Sequence, residues 1–434
     1  MSAPEQSSES QESFRAPYGT HDVLPPESER WITVVETFAR RASRFGYGLV
    51  MTPIFEHREV FDRVGASTDV VRKEMYEFVD RGGRQLALRP EGTAPVVRAY
   101  VQHRPTPPWK VWYVAPNFRA ERPQRGRYRQ HWQLGVEVLG VDDPDVDVEV
   151  IALAHGFYRE LGLERVTLLL NSMGDPESRR SYVEILRGYF LDHADALGPE
   201  FKERVELNPL RVLDAKEEAW QPVIEQAPRL TDHLSDDARR HFEAVQQRLD
   251  ALGIRYELAP RLVRGFDYYT STTFEFTVDT LDAAQNAIGG GGRYDQLAEE
   301  MGGPPTPGIG FGIGIERVLL AGDAEGATQM SAQSCGLDAF VVDGIGDETA
   351  TLVVNELRES GLSADRAYGG RSVKAQWKLA DRSGAAYGVM LGRDEAGRGQ
   401  VAVKDLESGT QIEVPKAQLA GWLRARREEG SDAP

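Results

Sequence analysis

Residues 111–140 restrict the fold more than any other stretch, because they have the pattern of two strands joined by a loop. Lys110 to Ala115 is apolar and rich in β-branched and aromatic residues, and Trp132 to Leu139 alternates apolar with polar residues. The alternation predicts a half-buried antiparallel strand. Because side chains two apart lie on the same face of a strand, Gln133, Gly135 and Glu137 are expected to share one face.

The loop between these strands is unusually cationic for a chain whose formal net charge is −17. Its arginines are Arg119, Arg122, Arg125, Arg127 and Arg129. One interpretation is a solvated hairpin tip, which is the usual place of a charge run. The other is an anion clamp, since Arg119 comes at the end of an apolar strand, where a planar guanidinium is well placed to bind phosphate through two hydrogen bonds.

The segment FRAERPQRGRYRQHWQLGVE, residues 118–137, resembles motif 2 of the class II aminoacyl-tRNA synthetases in the form of the histidyl-tRNA synthetase family. PGIGFGIGIERVLLA at 307–321 resembles motif 3, and LVRGFDYYT at 262–270 resembles a motif diagnostic of the histidyl branch. The resemblance covers nearly all of 15–421. It implies an α+β fold, in which the class II antiparallel sheet is flanked by helices and carries an inserted helical domain.

The region before motif 2 is similar to motif 1 of the same family. Trp31 to Arg44 has the apolar spacing of an amphipathic helix, and LVMTPIFEHREVF at 49–61 is predicted as a strand. Pro53 in its middle implies an edge strand or a bulge. In the family motif 1 forms the dimer interface, so a homodimer is expected; an edge strand covered by a helix is the alternative.

Glu91 and Thr93 lie at a predicted junction between a strand, 84–89, and a helix with Pro95 in its first turn. Polar residues there commonly cap the helix. In histidyl-tRNA synthetases the matching EGT holds the α-ammonium of the substrate, and a carboxylate with a hydroxyl oxygen provides what an ammonium needs.

The glycine-rich segments 289–295 and 307–321 do not match a P-loop, because the chain has no Gly-Lys-Ser/Thr. They do not match a dinucleotide fingerprint either, because the right βα unit does not precede the glycines. The second segment predicts a glycine-punctuated strand that enters a helix near Gly314, with Glu316 and Arg317 in the first turn. A strand of small residues lets a flat ring lie against the backbone, and Arg317 can reach a terminal phosphate.

Composition and pattern together predict the domains. The acidic run 142–150 is expected to be a linker that feeds a helix, and strands alternating with helices after 336 predict a small α/β domain with a largely parallel sheet. That domain resembles the anticodon-binding domain of the family. The predicted parts are a disordered leader (1–14), the catalytic core with motifs 1 and 2 (15–171), a helical insertion (172–250), the continued core (251–321), a linker (322–335), the anticodon-binding α/β domain (336–421) and a charged tail (422–434).

The resemblance also implies roles for individual residues. Arg119, Arg264 and Arg317 are expected as catalytic groups on the phosphates of ATP. Glu137, Tyr268, Tyr269 and Tyr294 are expected around the imidazole of L-histidine, and Glu91, Thr93 and Gln133 at its ammonium. Because neighbours in a straight strand face opposite ways, periodicity puts only one of Tyr268 and Tyr269 in the pocket.

Contacts to tRNA(His) are expected at two places. Arg122 and Gln124 match family positions that meet the end of the acceptor stem. Arg371, Lys374 and Lys378 lie at helical spacing in the C-terminal domain, where a solvated face is the alternative interpretation.

Composition excludes several other classes of protein. A single cysteine rules out a disulfide framework, and eight scattered histidines argue against structural zinc. No apolar run is long enough for a transmembrane helix, so a cytoplasmic protein without a membrane partner is expected. Mg²⁺ is implied by the chemistry of ATP, but no acidic cage of protein ligands is evident.

The sequence therefore predicts an enzyme that ligates L-histidine to tRNA(His) through a histidyl-adenylate. The first alternative is the catalytically inactive regulatory subunit of ATP phosphoribosyltransferase in histidine biosynthesis, which would lack the motif around Arg264 and the C-terminal domain. The second is an ATP-dependent ligase without tRNA, which the arginine-rich loop and the C-terminal domain disfavour.

Overall fold

The computed structural model describes residues 14–65, 68–213, 215, 217–262, 268–281, 286–330 and 336–431. The chain divides into two compact units, which separate between Ser331 and Ala332. The α+β class predicted from the sequence is confirmed in the first unit, and the smaller α/β arrangement in the second.

The first unit begins with helix α1, Glu27–Arg44, whose apolar face buries Val34 and Phe38. The predicted strand 49–61 is wrong as a single element. It consists of strands β1 (Gly48–Leu49) and β2 (Phe55–His57), followed by helix α2 (Arg58–Gly65). Pro53 lies between the two strands, because a residue without an N–H cannot continue the ladder.

The next elements lead into the main sheet. They are α3 (Asp69–Lys73), β3 (Glu77–Val79), β4 (Gln85–Leu88), α4 (Thr93–His103), β5 (Trp109–Phe118), β6 (Gln130–Leu139), α5 (Pro144–Glu160) and β7 (Val166–Ser172). Strands β2, β4 and β3 form a small antiparallel sheet. The hairpin predicted from the arginine-rich region is confirmed as β5 and β6, which pair from Trp109 opposite Leu139 to Phe118 opposite Gln130.

The remaining strands of the main sheet come from later in the chain. They are β8 (Glu257–Leu258), β9 (Thr270–Val278), β10 (Ala287–Arg293) and β11 (Gly308–Gly314). The sheet order is β1-β5-β6-β11-β10-β9-β7-β8, antiparallel except at its two edges, where β1 and β8 run parallel to their neighbours. Glycine-rich β11 therefore lies between β6 and β10, near the middle of the sheet.

A layer of helices covers one face of this sheet. Phe38 of α1 contacts Phe157 of α5 and Phe311 of β11, with ring centroids 5.1 and 6.0 Å apart. The second half of β6 is buried on both faces, so the predicted half-buried strand is wrong there. Leu134, Val136 and Val138 of this half lie in the main core with the helices, whereas Glu137 and Leu139 face a second buried layer.

From Pro144 onward the acidic run 142–150 is part of helix α5 and not a linker. Asp143 caps the helix by accepting a hydrogen bond from the Asp145 amide at 2.8 Å. Asp147 is fully buried and is 2.8 Å from Arg293 in an ion pair. The sequence pattern missed this role, because a burial-compensating partner 146 residues away leaves no local signal.

Between β7 and β8 the chain forms helices with a core of their own. They are α6 (Pro176–Leu197), α7 (Pro199–Leu207), α8 (Pro209–Val212) and α9 (Gln221–Glu225), packed around Phe190, Phe201 and Trp220. Helix α10, Asp236–Ala251, instead places Phe242 and Leu249 in the main core. We therefore propose that the inserted domain ends before α10.

The first unit closes with α11 (Leu297–Glu300) and α12 (Ile315–Glu325). The linker predicted at 322–335 is wrong in its first part, because α12 continues to Glu325 and Met330 is fully buried in the main core. The rest, 331–335, lies outside the described residues.

The second unit contains β12 (Ala339–Asp343), α13 (Thr349–Glu359), β13 (Ala364–Arg366), α14 (Val373–Arg382), β14 (Tyr387–Leu391), α15 (Arg393–Gly397), β15 (Gln400–Asp405), β16 (Gln411–Pro415) and α16 (Leu419–Ser431). Its sheet, β13-β12-β14-β15-β16, is parallel over the first three strands and antiparallel over the last two. The predicted tail 422–434 is helical through Ser431, with Leu423 buried. None of the helices in the described ranges has the length and apolar character needed to cross a bilayer.

Candidate active site

A cavity of about 350 Å³ opens on the face of the main sheet opposite the helix layer. It is lined by parts of β6, β9, β10 and β11, by the arginine-rich loop and by the starts of α4 and α12. Among the predicted site residues, the lining includes Glu91, Thr93, Arg119, Gln133, Tyr268, Tyr269 and Arg317. Residues more than 220 positions apart in the chain thus share one cavity.

Glu91 is both a helix cap and a cavity residue. Its carboxylate accepts hydrogen bonds from the backbone amides of Thr93 and Ala94, each at 2.7 Å, at the N-terminus of α4. Burial raises its pKa, and the two amides and Arg119 oppose that shift. The capping interpretation is therefore correct, and it leaves a fixed, buried carboxyl group at the cavity wall.

Glu137 lies behind the cavity lining and is fully buried. It accepts hydrogen bonds from the hydroxyls of Thr93 at 2.8 Å and Tyr113 at 3.3 Å, and from the Tyr294 hydroxyl. Burial raises its pKa to about 8, although these hydroxyls act in the opposite direction. The expectation that Glu137 and Tyr294 line the cavity directly is not met, since both stand in the layer beneath it.

The tyrosines form one aromatic cluster. Tyr268 and Tyr269 have ring centroids 4.7 Å apart, and Tyr268 meets Tyr294 edge-on at 5.9 Å. Both Tyr268 and Tyr269 line the cavity, so the prediction that only one does is wrong. They precede β9, which begins at Thr270, and the alternation of a straight strand does not apply to them.

Gln133 is oriented by a buried partner. The Asn117 amide donates to the Gln133 side-chain oxygen at 2.6 Å, and Asn117 is fully buried. An amide oxygen has a second lone pair, so Gln133 can still accept a hydrogen bond from a ligand in the cavity. The sequence did not indicate Asn117 or Tyr113, because both lie among apolar residues of β5.

The arginines define the other end of the cavity. Arg119 follows β5 and donates through Nε to the Pro90 carbonyl at 3.0 Å, and Arg317 is in the first turn of α12. Burial lowers the pKa of both guanidinium groups. A guanidinium nevertheless stays charged at neutral pH, so two positive charges face one space.

Arg127 is a third cation of this end that was not among the predicted site residues. Its Nη1 is 3.3 Å from a Glu121 carboxylate oxygen, and both side chains line the cavity. His131 also lines it; burial, with Arg119 and Arg127 nearby, lowers its pKa to about 3, so the ring is neutral. Among the described residues that line this end, the positive charge therefore comes from arginine.

The arginine-rich loop is held in place, unlike a solvated hairpin tip. Gln124 and Arg127 exchange backbone hydrogen bonds of 3.0 and 2.9 Å across a tight turn. Gly126 in that turn has φ +74 and lies so close to Leu320 of α12 that a Cβ would come within 2.6 Å of it. The loop is therefore packed against the helix that carries Arg317.

The glycines of β11 make room for the polar layer. A Cβ on Gly310 would overlap the Glu137 carboxylate, and one on Gly312 would overlap the Gln133 amide. Gly308 lies under the Tyr294 ring in the same way. The small residues thus accommodate the protein's own side chains, while Gly312 and Gly314 also border the cavity.

The other predicted residues lie elsewhere. Arg122 and Gln124 are exposed on the loop, and Arg371 and Lys374 are exposed in the second unit. Arg371 precedes α14, which begins at Val373, so its predicted place within the helix is wrong. Arg264 lies outside the described residues.

Carboxylate side chains also lie near the arginines of the cavity. Within the described ranges, no group of three or more His, Cys, Asp or Glu side chains is arranged as a metal site. Glu121 and Glu275 line the arginine end of the cavity. Their carboxylate oxygens are ligands of the type that Mg²⁺ prefers. Glu316 also lines it, but it accepts a hydrogen bond from the Trp132 amide at 2.9 Å, and burial raises its pKa to about 7.

Comparison with known proteins extends to both units. Residues 19–318 match the family described as histidyl-tRNA synthetase, and 340–426 match the anticodon binding domain. The histidine–tRNA ligase of Geobacillus kaustophilus is 48% identical over 422 residues, covering 95% of this chain and 98% of that protein. The same-named protein of Nocardia farcinica is 47% identical, covering 95% and 98%. The crystal structure of apo histidyl-tRNA synthetase from S. aureus is 36% identical, covers 95% of this chain and 100% of that one, and superposes with a TM-score of 0.81.

Proposed function

This chain belongs to the histidyl-tRNA synthetase family, and we propose that the cavity on its main sheet is where it activates L-histidine. Its reaction is the ATP-dependent ligation of histidine to tRNA, in two steps. In the first, a carboxylate oxygen of histidine attacks the α-phosphorus of ATP, and pyrophosphate leaves. In the second, the 3′-terminal ribose of tRNA(His) takes the histidyl group, and AMP leaves.

The observation that carries the proposal is the division of one cavity into two chemically distinct ends. Glu91, Thr93, Gln133 and two tyrosines border one end, and Arg119 and Arg317 border the other. An amino acid and a polyphosphate have complementary groups. Their reacting atoms would meet between these ends.

At the amino-acid end, Glu91, Thr93 and Gln133 would bind the ammonium of histidine. Glu91 is held by two amides of α4, so it needs little reorganisation on binding. Tyr268 and Tyr269 would contact the imidazole directly. Glu137 and Tyr294 would act one layer further in, where they fix the Thr93 hydroxyl and the tyrosine cluster.

At the phosphate end, Arg119 would bind the α-phosphate and Arg317 the γ-phosphate. Adenylation requires little covalent work from the protein, so positioning and charge stabilisation carry the rate. Guanidinium groups fixed before the substrate arrives stabilise the charge that spreads over the phosphoryl oxygens. We assign Arg264 to the α-phosphate as well, from its motif in the sequence.

Mg²⁺ would accompany ATP in this site. It prefers oxygen ligands and commonly uses one or two carboxylates together with substrate phosphates. Glu121 and Glu275 provide those oxygens at the arginine end. Bound there, the ion would neutralise charge on the β- and γ-phosphates.

The tRNA would approach from the loop side. Exposed Arg122 and Gln124 lie on the loop that borders the cavity, and we assign to them the contacts with the acceptor end. Arg371 and Lys374 would contact the anticodon arm from the second unit, which matches the anticodon binding domain. We place the protein in the cytoplasm, where charged tRNA is used.

We propose a homodimer formed through the small sheet and the segment before it. Exposed apolar side chains are concentrated there: Met51, Ile54, Phe55, Phe78 and Val79, with exposed fractions between 41 and 84%. Contiguous apolar side chains at an edge are typical of a protein interface. The regulatory-subunit alternative has less support, because the matched relatives are named ligases over 95% of the chain.

ATP–pyrophosphate exchange with each of the twenty amino acids tests the proposed function. We expect exchange with L-histidine and a rate lower by roughly 10⁴ for analogues without a polar ring, because buried polar groups would be left unpaired. Exchange with no amino acid would favour the regulatory alternative, and exchange with a different one would contradict the assignment of the pocket.

A further inference from the structure

Asp295, directly after Tyr294, bonds to three separate parts of the chain. Its Oδ2 accepts a hydrogen bond from the Thr270 hydroxyl at 3.2 Å, and its Oδ1 accepts from the Gly308 amide at 3.1 Å. Arg293 donates to the same Oδ1 at 3.2 Å. The Asp295 amide returns a bond to the Thr270 hydroxyl at 3.2 Å, so the link between 270 and 295 is reciprocal.

Arg293 anchors this carboxylate, because its own side chain is held in place. It is fully buried, donates through Nε to Asp147 at 2.8 Å and through Nη2 to the Asp143 carbonyl at 3.0 Å. Asp147 is itself held by the Thr272 hydroxyl at 2.6 Å and by His241 at 2.8 Å. A buried ion pair with its remaining hydrogen bonds satisfied is rigid, because any displacement leaves a charge without a partner.

The segments that Asp295 joins carry or border the tyrosine cluster. Thr270 follows Tyr268 and Tyr269 in the chain, and Gly308 lies beneath the ring of Tyr294. The carboxylate therefore ties together the backbone on both sides of the edge contact between Tyr268 and Tyr294. Asp295 is not part of the cavity lining.

We propose that Asp295 is a positioning residue for the amino-acid end of the cavity. Anchored on Arg293, it fixes the spacing between the segment that carries Tyr268 and Tyr269 and the segment that carries Tyr294. That spacing sets how far the rings of Tyr268 and Tyr269, which line the cavity, project into the slot for the imidazole. The inference rests on the proposed function, since it concerns the selectivity of the same site.

The test compares Asp295→Ala with Asp295→Asn in ATP–pyrophosphate exchange. In Asp295→Asn the amide oxygen can still accept from Arg293 and Gly308, and the amide nitrogen can donate to the Thr270 hydroxyl. We expect Asp295→Ala to raise the KM for histidine about tenfold, the effect of one lost hydrogen bond to a charged group. The KM for ATP and kcat should change less than about twofold, and Asp295→Asn should stay close to the parent.

Thr270→Val removes the hydrogen bonds between Thr270 and Asp295 from the other side, with little change in side-chain volume. This variant replaces Asp295→Ala in the test if Asp295→Ala does not fold. We expect the same selective rise in the KM for histidine. Equal changes in both KM values, or no change in either soluble variant, would overturn the inference and leave the proposed function standing. A parent protein that shows no histidine-dependent exchange would contradict the proposed function, and this inference as well.

Discussion

At the residue scale, the surroundings of Glu137 determine its ionisation state. The same carboxyl group in solution would be ionised at neutral pH, whereas full burial here raises its pKa to about 8. Three hydroxyl groups bond to it, and together they fix Thr93, Tyr113 and Tyr294 around one point. Its charge state therefore affects both the stability of the fold and the geometry of the pocket.

Glu137→Gln tests this assignment through stability. A carboxyl group whose pKa is raised in the folded state from 4.5 to about 8 stabilises the fold below pH 4.5, and it loses that contribution as pH rises toward 8. The glutamine variant has no such titration. We expect its melting temperature relative to the parent to rise steadily between pH 5 and pH 8, measured by calorimetry.

The control for this comparison is Glu36→Gln, at an exposed position on α1. Its melting temperature relative to the parent should not vary with pH. A flat difference for Glu137→Gln as well would mean that Glu137 is ionised in the folded protein, and that its three hydroxyl partners outweigh burial.

The charged residues of the site could be predicted from the sequence better than the buried residues that orient its polar side chains through hydrogen bonds. Glu91, Arg119 and Arg317 could be predicted because each ends a strand or begins a helix next to a recognisable motif. Tyr113 and Asn117 could not, because in the sequence they are ordinary members of an apolar strand, and their contacts to Glu137 and Gln133 depend on the register of β5 with β6.

At the element scale, β11 determines how closely the polar layer can pack on the sheet. Gly308, Gly310 and Gly312 are alternate residues of this strand, and each lies under a side chain of the site. Alternate residues share a face, so the spacing of the glycines matches the spacing of Tyr294, Glu137 and Gln133 above them. The strand was predicted, but the side chains that its glycines accommodate depend on pairing with distant strands.

Gly310→Ala would place a methyl group against the Glu137 carboxylate, which cannot move aside because three hydroxyls hold it. We expect a loss of roughly 1–3 kcal/mol in the free energy of unfolding, as for other overpacked cores. Urea denaturation measures it. Gly188→Ala, in α6 with no atom within 4 Å of the added Cβ, is the matched control and should not destabilise the protein. Equal stability of Gly310→Ala and the parent would contradict the close packing of this layer.

At the scale of the whole molecule, the elements with clear hydrophobic periodicity were predicted better than three segments with weak local patterns. The strands and helices of both units follow hydrophobic periodicity and were largely predicted. Segments 49–61, 142–150 and 322–330 were not, because short strands beside a proline, an acidic helix start and a helix extended over small residues each have weak local patterns. Packing against the main core determines the last two, with partners more than a hundred residues away. Segment 49–61 is instead divided by the pairing of β1 with β5 and of β2 with β4.

The proposed homodimer is tested by mass in solution. We expect light scattering to give twice 48.3 kDa for the parent. The double variant Phe55→Glu and Phe78→Glu should give the monomer, because charges buried at an apolar interface without partners are strongly disfavoured. Leu352→Glu, which changes an exposed leucine of the second unit, is the control and should remain dimeric. A monomeric parent would contradict the proposed interface.

The rate of ATP–pyrophosphate exchange with L-histidine, measured for Arg119→Ala and Arg317→Ala, tests most directly whether two arginines from distant elements act on one triphosphate. We predict a loss on the order of a hundred- to a thousandfold for each variant, because each removes a fixed donor from developing charge. Arg125→Ala, an exposed arginine of the same loop that does not line the cavity, should exchange like the parent. Exchange within a few-fold of the parent in either Arg119→Ala or Arg317→Ala, with the fold intact, would contradict the account.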